Sequence, residues 1–173
     1  MNRLLFALII PAIAGTSQAQ LPRGTATDIS DDSIKATLSR APEGRVSDQQ
    51  IRVVDVGSYN VGVGVVHRPA IQQGAIEHSR ITEIYHVISG AGTLVTGGTL
   101  VEPTPSPPTS QVVTVLNGPS TSGRGIDSGT SRRIKPGDVV IIPANTPHWF
   151  TNVEGEIVYL VVRVDPDKLL APR

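Results

Sequence analysis

The sequence predicts an all-β barrel of many short strands, preceded by one short N-terminal helix. Three observations predict it. Valine- and isoleucine-rich stretches recur along the chain, broken by 17 glycines and 14 prolines, the composition of strands joined by turns. The stretch Tyr59–His67 alternates strictly, with Tyr59, Val61, Val63, Val65 and His67 on one face and Asn60, Gly62, Gly64 and Val66 on the other. The one helical signal stands near the front, where Ser30 can cap a helix carrying Asp31 and Asp32 in its first turn and Ile34 and Leu38 on one stripe.

Taken in order, the chain opens on Met1-Asn2-Arg3, an apolar run from Leu4 to Ile10, and Ser17-Gln18-Ala19. The run is too short to span a bilayer and ends on small residues. It is therefore read as a cleaved signal peptide over 1–19, with the mature chain starting near Gln20 in the periplasm or outside the cell. No second run of membrane length follows. Residues 20–50 form an extension holding the short helix, which Ala41-Pro42-Glu43-Gly44 ends. The barrel is expected over 51–166. Its strands are expected at Ile51–Val56, Tyr59–His67, Ala75–His78, Thr82–Ser89, Thr93–Thr96, Val139–Ile142, around His148, and at Ile157–Val164. Residues 101–133 read as a long Pro-, Gly- and Ser-rich loop excursion, because four prolines within 101–110 cannot join a central strand. Residues 167–173 form a tail.

Composition excludes several functions. Lys+Arg and Asp+Glu number 15 each, so no basic field exists to draw nucleic acid. Cysteine is absent, which rules out disulfides, zinc knuckles and thiol catalysis. No nucleophile elbow, phosphate loop or dinucleotide fingerprint is present.

Two segments carry chemistry. The first runs from His78 through Glu83 to Gly90, the second from Gly137 through Pro143 and His148 to Asn152. His78 ends one strand and Glu83 opens the next, so a tight connection brings an imidazole beside a carboxylate. His148 follows a turn that fixes where its strand begins. If the sheet curls, the three converge inside. Two imidazoles and one carboxylate suit a divalent first-row metal and leave open coordination positions.

These segments resemble the two motifs of the cupin superfamily. The first cupin motif is His-x-His, three or four residues, Glu, six residues, Gly; here His78, four residues, Glu83, six residues, Gly90 match it. The second is Gly, five residues, Pro-x-Gly, two residues, His, three residues, Asn; Gly137, Pro143, His148 and Asn152 match it, with Asn145 at the turn glycine. Asn tolerates positive φ, so that departure costs little. The resemblance implies a double-stranded β-helix, a jelly-roll-like barrel. It places His78, Glu83 and His148 in the family's ligand positions for Fe, Mn, Ni or Zn, and it implies a homodimer. Ile76 stands where the first histidine of the pair belongs.

Alternation offers His67 as a replacement ligand, since it continues the face of Val61, Val63 and Val65; the alternative is a histidine bonded to a neighbour. His86 is three residues from Glu83 and falls on the opposite face. Tyr85 shares the face of Glu83, and the two are the candidate catalytic groups. Phe150 shares the face of His148 and packs in the core or lines the pocket. Trp149 falls on the other face, and Arg80 at the surface. Two functions fit: a metal-dependent enzyme on a small organic molecule (dioxygenase, lyase or isomerase), and a non-catalytic small-ligand-binding protein whose cluster is a relict.

Overall fold

The computed structural model describes residues 26–173, and the expected signal peptide lies outside them. The helix α1 spans Asp31–Leu38, with the Ser30 hydroxyl accepting from the Ser33 amide at 3.2 Å as the cap. Eleven strands follow: β1 Ser47–Asp55, β2 Asn60–Pro69, β3 Ala75–His78, β4 Thr82–Thr96, β5 Thr99–Val101, β6 Thr104–Pro105, β7 Ser120–Gly123, β8 Gly125–Asp127, β9 Thr130–Ile134, β10 Val139–Ile142 and β11 His148–Asp165. Among the described residues no helix is long and apolar enough to cross a membrane.

The barrel is organised around β11. It pairs antiparallel with β2 through its second half, with β4 along most of its length, and with Ile76 of β3 at His148. The segments Thr82–Ser89 and Thr93–Thr96 are one strand, β4, and the two segments after Pro147 are one strand, β11. Both bend where expected interruptions lie. Gly90 has φ 72°, and a Cβ there would fall 1.9 Å from the Glu156 carbonyl oxygen, so only glycine fits this corner. The core on the concave side gathers Val66, Tyr85, Val87, Leu94, Ile134, Ile142, Phe150, Ile157, Tyr159 and Val161.

The excursion after Val101 is more ordered than its composition predicts. It carries β6–β9 and a one-turn π-helix over Val112–Asn117. Its prolines occupy the extended approach, while β7 pairs with β3 and so fixes the return path against the barrel. The last residues are fixed too. Arg173 and Val53 exchange backbone hydrogen bonds, Leu170 is buried against Val53 and Ile81, and its amide donates to the Asp165 carboxylate at 2.8 Å. The tail thereby covers the open edge of β1.

The face assignment of β2 is corrected. Gly62, Gly64, Val66 and Arg68 look into the barrel, and the valines Val61 and Val63 look out onto Ala26, Thr27, Ile29 and Val54. The reason is volume. Arg163 of β11 projects inward between β2 and β4, and a Cβ on Gly64 would meet its Nη1 at 3.0 Å. The interior of this strand pair holds a guanidinium, so the small residues face it and the apolar ones cover the outside.

Candidate metal centre

His78 is the last residue of β3, Glu83 the second of β4, and His148 the first of β11. Each sits at the same end of the barrel because a turn closes next to it. The turn before His148 holds Asn145 at φ 60°, and the Asn145 amide donates to the His78 carbonyl at 2.8 Å. The two motifs are thus tied together by a backbone bond.

The three side chains are buried and converge. Oε2 of Glu83 lies 3.5 Å from Nε2 of His78 and 3.5 Å from Nε2 of His148, and the imidazole centroids are 5.0 Å apart. An ion with bonds of about 2.1 Å at tetrahedral or octahedral angles needs donors roughly 3.0–3.4 Å apart. These edges fit such an ion with little movement.

Hydrogen bonds behind the rings set their tautomers. Nδ1 of His148 faces the Thr146 carbonyl at 3.1 Å and must carry the proton, leaving the lone pair on Nε2. Nδ1 of His78 is 2.9 Å from the Ser120 hydroxyl, which itself donates to the Gly118 carbonyl at 2.9 Å. That hydroxyl therefore accepts from Nδ1, and the His78 lone pair also lies on Nε2. On Glu83, Oε2 accepts the Tyr85 hydroxyl at 2.8 Å and Oε1 accepts Nε of Arg163 at 3.3 Å. Three donor atoms thus face one another with lone pairs inward, an arrangement that a cation stabilises.

Protonation follows from the surroundings. Burial pushes the Glu83 carboxyl up, but the imidazole of His78 when it carries a second proton, the permanent charge of Arg163, and His148 when protonated outweigh it and hold the group below the usual carboxylate range. Burial and the neighbouring His78 lower His148 to about 4. Burial, reinforced by the charge of Glu83, raises the Tyr85 phenol well above its ordinary value. At neutral pH the site presents an ionised carboxylate, a neutral His148 and a protonated tyrosine.

A cavity of about 440 Å³ opens over this cluster, lined by His78, Glu83, Tyr85, His148, Tyr159 and Arg163 among others. Ile76 also lines it, and supplies no donor on that side.

The family model described as Cupin matches residues 45–169. The chain belongs to the cupin family. Among solved structures, this cupin is similar to a DMSP lyase from Ruegeria pomeroyi, with 19% identity over 78% of this chain and 55% of that one and a TM-score of 0.47. It is similar to a protein from Thermus thermophilus, with 15% identity over 80% and 98% of the two chains and a TM-score of 0.49. An oxalate oxidase gives 16% identity over 76% and 58%, with a TM-score of 0.47. The cupin spans little more than half the length of the lyase and oxidase chains. A comparison with curated protein sequences found no match.

His67 does not join the cluster of this cupin. It sits on the outer face of β2, with Nε2 3.0 Å from Oε2 of Glu156. The correction follows from the reversed face of β2: its inward neighbour Arg68 takes the cavity position. His86 is exposed on the outer face, as alternation requires. Tyr85 faces the cavity beside Glu83. Phe150 is buried, stacked 5.8 Å from Tyr159. Trp149 donates to the Gln73 carbonyl at 2.6 Å and lines a second groove, and Arg80 pairs with Asp167 at the surface.

Four participants escaped the sequence reading. Arg163 carried a usable signal, being the one charge inside the apolar run 157–164 and in phase with Ile157, Tyr159 and Val161. Arg68 was hidden by the reversed faces of β2. Asn117 and Ser120 lie in the excursion, and no local pattern marks them.

Proposed function

We propose that this cupin is an exported metal-dependent enzyme acting on a small organic molecule. The observation that carries the reading is the pair of fixed tautomers: Thr146 and Ser120 each hold a histidine Nδ1–H, so that both Nε2 lone pairs meet the Glu83 carboxylate. A buried cluster kept only for hydrogen bonding has no need of three converging acceptors. His78, Glu83 and His148 would hold Fe, Mn, Ni or Zn, which supplies Lewis-acid polarisation or a site for oxygen.

The protein's own groups then have separate tasks. Glu83 stays ionised and engaged by Tyr85 and Arg163, which suits a ligand better than a proton acceptor. Tyr85 stays protonated at the cavity wall, where its hydroxyl can donate to Glu83 or to a bound molecule. The excursion carrying Asn117 covers the mouth and limits water. Lyase, isomerase and dioxygenase chemistry all fit this equipment.

The export signal and a homodimer complete the proposal. Support for the dimer comes from an outward apolar strip at the edge strand β10: Val139 and Ile141 are 53% and 65% exposed and lie in register with His86 and Ile84, with Ile88 beside them.

A second reading, a non-catalytic ligand-binding cupin, rests on Ile76 and on Asn117, whose amide donates to Nε2 of His78 at 3.0 Å and so satisfies that lone pair without an ion. Elemental analysis of protein purified without chelator tests the choice. One ion per chain in wild type and none in His148→Ala is expected. Wild type without metal, and unchanged by Mn, Fe(II), Ni or Zn, would leave the binding reading.

A further inference from the structure

Arg68 is the least compensated charge in the cavity. It reaches inward from β2 beside Val66 and is held in place by three neutral groups. Its Nε donates to the Tyr159 hydroxyl at 2.8 Å, its Nη1 donates to Oε1 of Gln73 at 2.9 Å, and its guanidinium lies 5.1 Å over the Phe150 ring. These contacts fix its plane but supply no countercharge. Tyr159 remains a phenol, because burial raises it despite Arg68.

The acids of the lining form their ion pairs elsewhere, and only the charge of Asp48 reaches Arg68, through space and without a contact. Asp48 meets Nη2 of Arg163, and Glu83 meets Nε of Arg163 along with the two histidines. The oxygen of Asp48 without a partner, Oδ1, belongs to a carboxylate already paired with Arg163. Arg163 is thus neutralised, whereas Arg68 forms no ion pair among the described residues, and its Nη2 makes no hydrogen bond there. A bound divalent ion would add positive charge to the same cavity. A half-buried guanidinium with a free edge and no ion pair, facing a cavity, favours a ligand that brings negative charge.

We infer that the molecule handled at this site is a small carboxylate, its carboxylate anchored on the free edge of Arg68 while the rest of it faces His78, Glu83 and His148. A planar guanidinium with an unoccupied Nη2 matches a carboxylate in shape as well as charge. The cavity of about 440 Å³ limits the ligand to a small organic acid. Arg68 is then the specificity-determining residue. The inference rests on the reading of this cavity as a small-molecule site, and does not need the ion to be present.

The test compares malonate, succinate and benzoate with malonamide, succinamide and benzamide by calorimetry, on full-length mature protein with and without added metal. At least one acid is expected to bind tenfold or more tightly than its amide, and to lose that advantage below its own pKa. Arg68→Gln, checked for folding by circular dichroism, should remove the preference, and Arg68→Lys should restore part of it. Amides binding as well as acids, no acid binding at all, or Arg68→Gln keeping the preference would overturn the inference. Inorganic phosphate binding more tightly than every acid would overturn it too. The wild-type comparison decides even if Arg68→Gln fails to fold. If acids bind through Arg68 while no metal is ever retained, the carboxylate assignment stands and the enzyme reading falls.

Discussion

Asn117 donates its side-chain amide to Nε2 of His78 across 3.0 Å, while its own Oδ1 accepts from Nε of Arg163. The excursion therefore reaches inside the site, and its amide meets the same lone pair that an ion would use. Metal binding must displace that hydrogen bond.

Asn117→Asp is expected to tighten metal binding about tenfold, equivalent to about 1.4 kcal/mol. The change sets a carboxylate where a donor amide faces the His78 lone pair, so repulsion without an ion becomes attraction with one. The metal-free variant should melt below wild type. Titration with Zn or Mn against a competing chelator checks the affinity; an affinity equal to or weaker than wild type would show that the amide is not in the ion's way.

Adding metal to chelator-treated wild type should raise the melting midpoint. The ligands come from three strands that an unfolded chain cannot assemble, so binding favours the folded state. Free metal at a hundredfold above Kd contributes about 2.7 kcal/mol, or about 5 °C or more for a domain of this size. His148→Ala should stay folded and lose the shift, which differential scanning calorimetry would show.

The ion-free protein should lose stability as pH falls from about 6.5 toward about 4. His148 is lowered to about 4 by burial and by His78, against an unfolded value near 6.5. Between these values the unfolded chain binds a proton that the folded one refuses, so stability is complete above the upper value and declines through the window. The loss is on the order of 2–3 kcal/mol. His148→Gln should flatten that part of the pH profile in chemical denaturation; an unchanged slope would show that His148 accepts a proton in place.

Ile141→Asp should convert a dimer to a monomer without unfolding it. Ile141 is among the most exposed of the large apolar residues and belongs to an edge strand. Sedimentation velocity on both proteins decides; a wild type that is monomeric at every concentration refutes the dimer.

Much of the fold was legible because glycine, proline and capping residues act locally. Ala75–His78 and Val139–Ile142 form strands with those bounds, and the helix starts behind Ser30. His78, Glu83 and His148 were legible because each sits within a few residues of a turn that fixes it. Alternation gave the wrong inner face at β2, since it ranks faces by hydrophobicity and the barrel interior there is charged. The valines on the face of His67 suggest burial, but the glycines of the other face mark the crowded side. Asn117 and Ser120 were beyond reach for a different reason. Their contact with His78 depends on how a long excursion folds back, and β7 pairing with β3 decides that.

Arg163 joins parts of the molecule that lie far apart in the sequence. One guanidinium contacts Asp48 and Gln50 of β1, Glu83 of β4 and Asn117 of the excursion. The excursion over the cavity and the carboxylate of the buried cluster are therefore attached to the same rigid plane. A change at Asn117 thus reaches the Glu83 carboxylate through a single group, the Arg163 guanidinium.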